Sequence, residues 1–161
     1  MADVAFSETA DAAEPDIQRT AALFGGARLL KRRLASPLDA HKLLLDGLPG
    51  RALHHLVDGL TVLETDASLE RAIGMSLRTY QRRKAAPARP LNPEQSGRAW
   101  KFAEILSHAT EVFGSQEEAE QWLERPAIGL DRQRPIDLLA TPAGIELVED
   151  HLNRIRYGVY A

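Results

Sequence analysis

Apolar residues recur at helical spacing along most of this 161-residue chain, and turn and capping signals divide them into short segments. Leu23, Leu30 and Leu34 fall near a helical period from Thr20 onward, across a Gly25-Gly26 pair that weakens the helix. Ser36-Pro37 supplies an N-cap and a proline at the first helical position, opening a helix to about Leu45. After Gly47 and Pro49-Gly50, Leu53, Leu56, Val57 and Leu60 share one face of RALHHLVDGLTVLE. Leu69 and Ile73 lie on a short helix ending at Gly74, where a residue without Cβ can take positive φ in a tight turn.

APARPLNP, Ala86 to Pro93, reads as a linker. Asn92-Pro93-Glu94-Gln95 combines an N-cap, a first-turn proline and a glutamine three residues on. The helix it opens carries Ala99, Phe102, Ala103, Leu106, Ala109, Thr110 and Phe113 as its apolar stripe and ends at Gly114. Ser115 to Glu118 forms the next capping box, before Ala119, Trp122 and Leu123. Pro135 to Ala140 is one short turn. Thr141-Pro142 opens the last helix, with Ile145, Val148, Leu152 and Ile155 inward. No stretch alternates with period two. The pattern predicts an all-α protein of about eight helices, with residues 1–19, polar and acidic, as a flexible tail.

Charge sharpens the picture. The chain is net −3, yet Ser76 to Lys101 holds seven basic residues and one acid, a local +6, against −3 before it and −6 after it. A short apolar helix, a glycine turn and a second short helix with Arg78, Thr79, Arg82, Arg83 and Lys84 make the pattern of a helix-turn-helix DNA reader. Arg78 and Arg82, four apart, share a face suited to the groove, with Lys84 or Arg89 suited to the phosphate backbone; Arg83 sits to one side and Tyr80 packs beneath. A solvated basic face is the competing reading. The run Lys31, Arg32, Arg33 complements a helix C-terminus.

Other chemistries find little support. There is no cysteine, so disulfides, thiolate metal sites and cysteine catalysis are excluded. The histidines do not converge, so no metal is expected; Glu117, Glu118 and Glu120 read as the acidic first turn of a helix. No phosphate-binding glycine loop or nucleophile–base pair stands out, so neither enzyme nor cofactor is expected. No stretch reaches the roughly 20 apolar residues of a membrane span and no secretory signal is visible, so the expectation is a cytoplasmic protein without membrane contact.

The far end is unusual. Tyr157, Gly158, Val159, Tyr160 and Ala161 place two aromatics and a valine around a glycine, flanked by Arg154 and Arg156. Such an end either enters a partner's concave pocket, with the arginines meeting acidic groups, or folds back on its own helices.

From about Gly47 onward the chain resembles the Xre/ParS-type antitoxins that neutralise RES-domain toxins. AIGMSLRTYQRRK resembles the family's reader helix, LNPEQSGRAWKFAEILSHATEVFGSQEEAEQWL its long linking helix and phenylalanine-glycine turn, and RPIDLLATPAGIELVEDHLNRIRYGVYA its ending almost in full. The resemblance implies a helix-turn-helix domain at 20–90 and a small helical toxin-binding domain at 91–161. It implies a toxin of ADP-ribosyltransferase-like fold that destroys NAD, insertion of the C-terminus at that toxin's NAD site, homodimerisation, and repression of the chain's own operon through operator DNA. The alternative is a plain helix-turn-helix regulator whose C-terminal half dimerises or senses a ligand.

Overall fold

A computed structural model of the chain describes residues 16–63 and 66–158. Most of the described residues are helical: α1 (16–23), α2 (Gly26–Leu30), α3 (Pro37–Asp46), α4 (Gly50–Asp58), α5 (Asp66–Ile73), α6 (Leu77–Lys84), α7 (Pro93–Phe113), α8 (Gln116–Glu124), α9 (Pro135–Leu138) and α10 (Pro142–Tyr157), with a 3-10 turn at Ile128–Leu130. The described residues contain no strand, only an isolated bridge between Ala127 and Gln133, so the all-α class holds. No described helix is long and apolar enough to cross a membrane.

The helix starts follow local chemistry. Ser36 Oγ accepts from the Asp39 N–H, and the Asp39 carboxylate accepts from the Ser36 N–H, a reciprocal capping box behind Pro37. Asn92 and Gln95 make the same exchange at 2.7 and 3.2 Å. Ser115 accepts from the Glu118 N–H and Thr141 from the Gly144 N–H. Each such cap stabilises its helix by about 1 kcal/mol.

Two elements differ from their sequence pattern. α1 is already helical at residue 16, with Thr20 buried, so residues 16–19 belong to a helix rather than to the tail. α4 stops at Asp58, where the Gly59 N–H donates to the His55 and Leu56 carbonyls. Leu60 and Leu63 are still buried, but from a loop beyond the helix end.

The chain packs as two compact units that alternate along the sequence. The first takes the described residues up to Gly59 together with Arg82–Glu104. In it the Phe24 ring stacks on Trp100 at 5.7 Å, among buried Leu30, Leu43, Leu48, Leu53 and Phe102. Each such side chain contributes about 1.5–3 kcal/mol by leaving water. The proline-rich connector is pinned here. Leu91 is buried and its N–H donates to the Leu48 carbonyl at 2.9 Å, while the Leu48 N–H donates to Ser96 Oγ at 2.9 Å.

The second unit takes Leu60–Gln81 together with the described residues from Ile105 onward. There α9 contacts α5, α8 and α10, and the 3-10 turn rests on α10. Leu69, Ile73, Leu106, Leu123, Ile136, Val148 and Leu152 are among its buried side chains. Phe113 lies 5.2 Å from Trp122, which stacks on His151 at 6.1 Å.

Candidate functional site

α6 carries the basic cluster. Gly74, at φ 68°, makes the turn after α5, and Ser76 caps α6 by accepting from the Thr79 N–H at 3.2 Å while its hydroxyl donates to Thr79 Oγ1 at 3.0 Å. Tyr80 is buried, as its position in the pattern predicts. Successive residues turn by about 100°, so Arg78 lies roughly opposite Tyr80 and Arg82 close to Arg78. Both arginines are exposed, as are Lys84 and Arg89, and Thr79 is half-buried. Among described residues, Lys84 Nζ lies 4.0 Å from the Asp58 carboxylate.

Arg83 stands apart from the other four cations. It is half-buried, and its guanidinium donates to Gln95 Oε1 at 2.8 Å and to the Pro90 carbonyl at 3.4 Å. Burial lowers its pKa, and the neighbouring Arg89 charge lowers it further. Gln95 is the glutamine of the α7 capping box, so Arg83 braces the connector and the start of α7. His54, on α4, also has a lowered pKa, first through desolvation and then through the charges of Lys84 and Arg83, with Asp58 opposing.

The second predicted site lies at the end of α10. Tyr157 is 71 % exposed, and the Arg156 guanidinium carbon lies 5.7 Å from its ring centroid. Arg156 Nη1 also sits 3.7 Å from Glu111 Oε2, whereas Arg154 is exposed in the same final turn. Gly158 caps the helix at φ 66°, its N–H donating to the Arg154 and Ile155 carbonyls. That left-handed backbone favours glycine and turns the chain off the helix axis. Val159, Tyr160 and Ala161 lie outside the described residues.

Sequence reasoning missed a third feature. Glu120 is not a solvated first-turn acid but fully buried. Its carboxylate accepts from the backbone N–H groups of Thr61 at 2.9 Å, Val62 at 2.9 Å and Leu63 at 3.1 Å. The Thr61 hydroxyl and Gln116 Nε2 donate to it as well, at 3.1 and 3.0 Å. An anion in a protein interior persists when donors surround it in this way. Nearby, Ser68 Oγ donates to Glu124, tying α5 to α8, and Asp137 pairs with Arg71, tying α5 to α9, and with its own neighbour Arg134. The only sequence signal was an acidic residue beside the apolar positions Ala119 and Leu123.

Comparison with known proteins bears on both halves. A family model described as the Antitoxin Xre-like helix-turn-helix domain matches residues 39–104. One described as the Antitoxin Xre/MbcA/ParS C-terminal toxin-binding domain matches residues 108–158. A protein of Pseudomonas putida named Antitoxin Xre is 31 % identical over 127 residues, covering 78 % of this chain and 76 % of its own. One of Yersinia enterocolitica with the same name is 28 % identical over 137 residues, covering 83 % and 92 %. A Sphingobium protein named Prs ADP-ribosylating antitoxin is 29 % identical over 136 residues, covering 79 % and 84 %. With a helix-turn-helix that presents exposed arginines and a C-terminal helical region that matches a toxin-binding domain, the chain belongs to the Xre family of antitoxins, the neutralising partners in toxin–antitoxin systems.

Proposed function

We propose that this antitoxin neutralises a RES-type, NAD-degrading toxin by occluding its active-site pocket, and that as a cytoplasmic homodimer it represses its own operon. The observation that carries the first part is the end of α10. Tyr157, the last residue of the helix, is exposed, Arg154 is exposed in the same final turn, and Gly158 closes the helix in the left-handed region. Residues Tyr157, Gly158, Val159, Tyr160 and Ala161 then fill the toxin's NAD site, and Arg154 and Arg156 meet acidic groups at its rim. Occlusion requires no chemistry of this chain, so it acts without being an enzyme. The name of the Sphingobium relative joins an antitoxin with ADP-ribosylation, whose donor is NAD, which favours an NAD-consuming partner.

Repression uses α6. Arg78 and Arg82 enter the major groove, where arginine pairs with guanine O6 and N7, and Thr79, Lys84 and Arg89 hold phosphates. Arg83 contributes charge while its hydrogen bonds keep α6 and the connector together. A dimer places two such helices on half-sites about one DNA turn apart.

The test is co-expression with the toxin encoded beside this chain, with cellular NAD as the readout. The full chain should preserve NAD. A chain ending at Arg156 should melt at an unchanged temperature yet leave NAD depleted. Equal protection by the shortened chain would refute occlusion by the C-terminal peptide.

A further inference from the structure

The turn between α8 and α9 has no part in the roles described so far. Ile128 at its tip is 90 % exposed, more than any other large apolar side chain among the described residues. The segment that carries it is tightly closed. The Ala127 N–H donates to the Gln133 carbonyl at 3.0 Å, the Arg132 N–H to the Ala127 carbonyl at 2.9 Å, and the Leu130 N–H to the Ala127 carbonyl at 3.0 Å. Asp131 and Arg132 both hold positive φ, 54° and 61°, a strained state for residues with a side chain. Leu130 is buried, so the turn sends one apolar residue inward and holds the other in water.

The base of the turn is equally fixed. Gly129 approaches the His151 ring so closely that a Cβ there would collide with it. His151 in turn stacks on Trp122. Leu147, 55 % exposed, lies one helical turn before His151 on the same face of α10. Six residues beyond His151, about 9 Å along the helix, comes Tyr157. Gly129, next to Ile128, thus rests on His151 of the helix that also carries exposed Leu147 and ends in Tyr157. Exposed Arg125 and Arg132 stand in sequence on either side of the tip.

We infer that Ile128, supported by Leu147, is a second anchor for the toxin, seated in an apolar recess with an acidic rim outside the toxin's NAD pocket. The inference rests on the toxin-binding role of residues 108–158, which contain Ile128, Leu147 and Tyr157. A preorganised apolar tip loses little freedom on binding, and a few such anchors carry most of an interface's affinity. Two separated points of attachment also fix the direction in which the C-terminal peptide enters its pocket.

The experiment is calorimetric titration of the full chain against the toxin encoded beside it, inactivated by substitution at its own active site. Ile128→Asp should weaken binding by at least about thirtyfold and Ile128→Ala by about tenfold. Both variants should melt within about 2 °C of the parent, because the side chain lies in water. Leu38→Asp, at an exposed position on α3, should bind like the parent. Affinity of the Ile128→Asp variant within threefold of the parent overturns the anchor while leaving toxin binding intact. So does a change of oligomeric state with affinity unchanged, which gives the tip to a second copy of this chain. Failure of the parent itself to bind the toxin overturns the reading beneath it, and the anchor with it.

Discussion

Replacing Glu120 by alanine should destabilise the fold more than any surface change, and the size of the loss follows from its donors. Three consecutive backbone N–H groups point at this carboxylate, from Thr61, Val62 and Leu63. Alanine removes the acceptor that all three share. Thr61 is exposed, so its N–H can turn to water; Val62 is half-buried and Leu63 buried. A hydrogen bond to a charged group contributes roughly 1.5–3 kcal/mol, and a stranded buried donor costs a comparable amount. The loss therefore concentrates in two amides and comes to about 3–6 kcal/mol, a large share of the roughly 5–15 kcal/mol of a typical domain.

Glu120→Gln separates charge from shape. Its single carbonyl oxygen can keep the three backbone donors, and the Gln116 amide can turn to accept from the new NH2 with its Oε1, so the change removes the charge and keeps the shape. A loss of about 1–2 kcal/mol is expected, between parent and alanine. Urea unfolding followed by far-UV circular dichroism measures both. At a typical slope of about 1–3 kcal/mol/M, the alanine midpoint should fall by at least about 1 M. Hydrogen exchange at the Val62 and Leu63 amides should accelerate in the same order. An alanine variant within about 1 kcal/mol of the parent, or a glutamine variant no better than alanine, would refute the reasoning.

Two other expectations concern charge. Arg78→Ala with Arg82→Ala should weaken operator binding in a gel shift by about 1–3 kcal/mol per lost guanine pair, and Lys84→Ala with Arg89→Ala should flatten its logarithmic salt dependence by about 0.9 per lost phosphate contact; a shift unchanged by the first pair would remove Arg78 and Arg82 from the reading surface. His54 and His151 have pKa values lowered chiefly by desolvation, and next by Lys84 and by Arg154 respectively. The unfolded chain then binds more protons near pH 6.5, so their contribution to stability is complete above that value and is lost as pH falls through the lowered folded values. Melting temperature should decline from pH 7.5 to 5.5 at constant ionic strength, and His151→Gln should flatten the decline; a melting temperature that rises on acidification would contradict the assignment.

What was legible in the sequence was local. The capping pairs Ser36–Asp39, Asn92–Gln95, Ser115–Glu118 and Thr141–Gly144 act over three residues, so the chain announces them without its fold. The buried Tyr80 between exposed Arg78 and Arg82 follows from helical phase alone. Glu120 was illegible because its backbone partners lie 57–59 residues away, and an acid in an amphipathic helix gives no sign of being capped by a distant loop. Arg83 was legible as a cation and illegible as a brace, since Gln95 is reached only after the connector folds back. Ile128 left no trace at all: it reads as one more apolar residue beside Leu130, and only the positive φ of Asp131 and Arg132 separates the outward residue from the inward one.

The chain's linear order and its packing divide it differently, and that difference decides which fragments can stand alone. Reading along the chain suggests a boundary near residue 90, and the two family matches meet between 104 and 108. Yet Leu60–Gln81, inside the helix-turn-helix match, packs in one unit with the residues of the toxin-binding match. The ties are polar and specific: loop 61–63 on Glu120, Ser68 on Glu124, Arg71 on the Asp137 that Arg134 also holds. A fragment beginning at residue 91 would keep the buried Glu120 carboxylate and lose all three of its backbone donors, and one ending at 90 would keep those donors without their acceptor. The helix that introduces the reader, α5, is therefore held by α8 and α9 of the toxin-binding half.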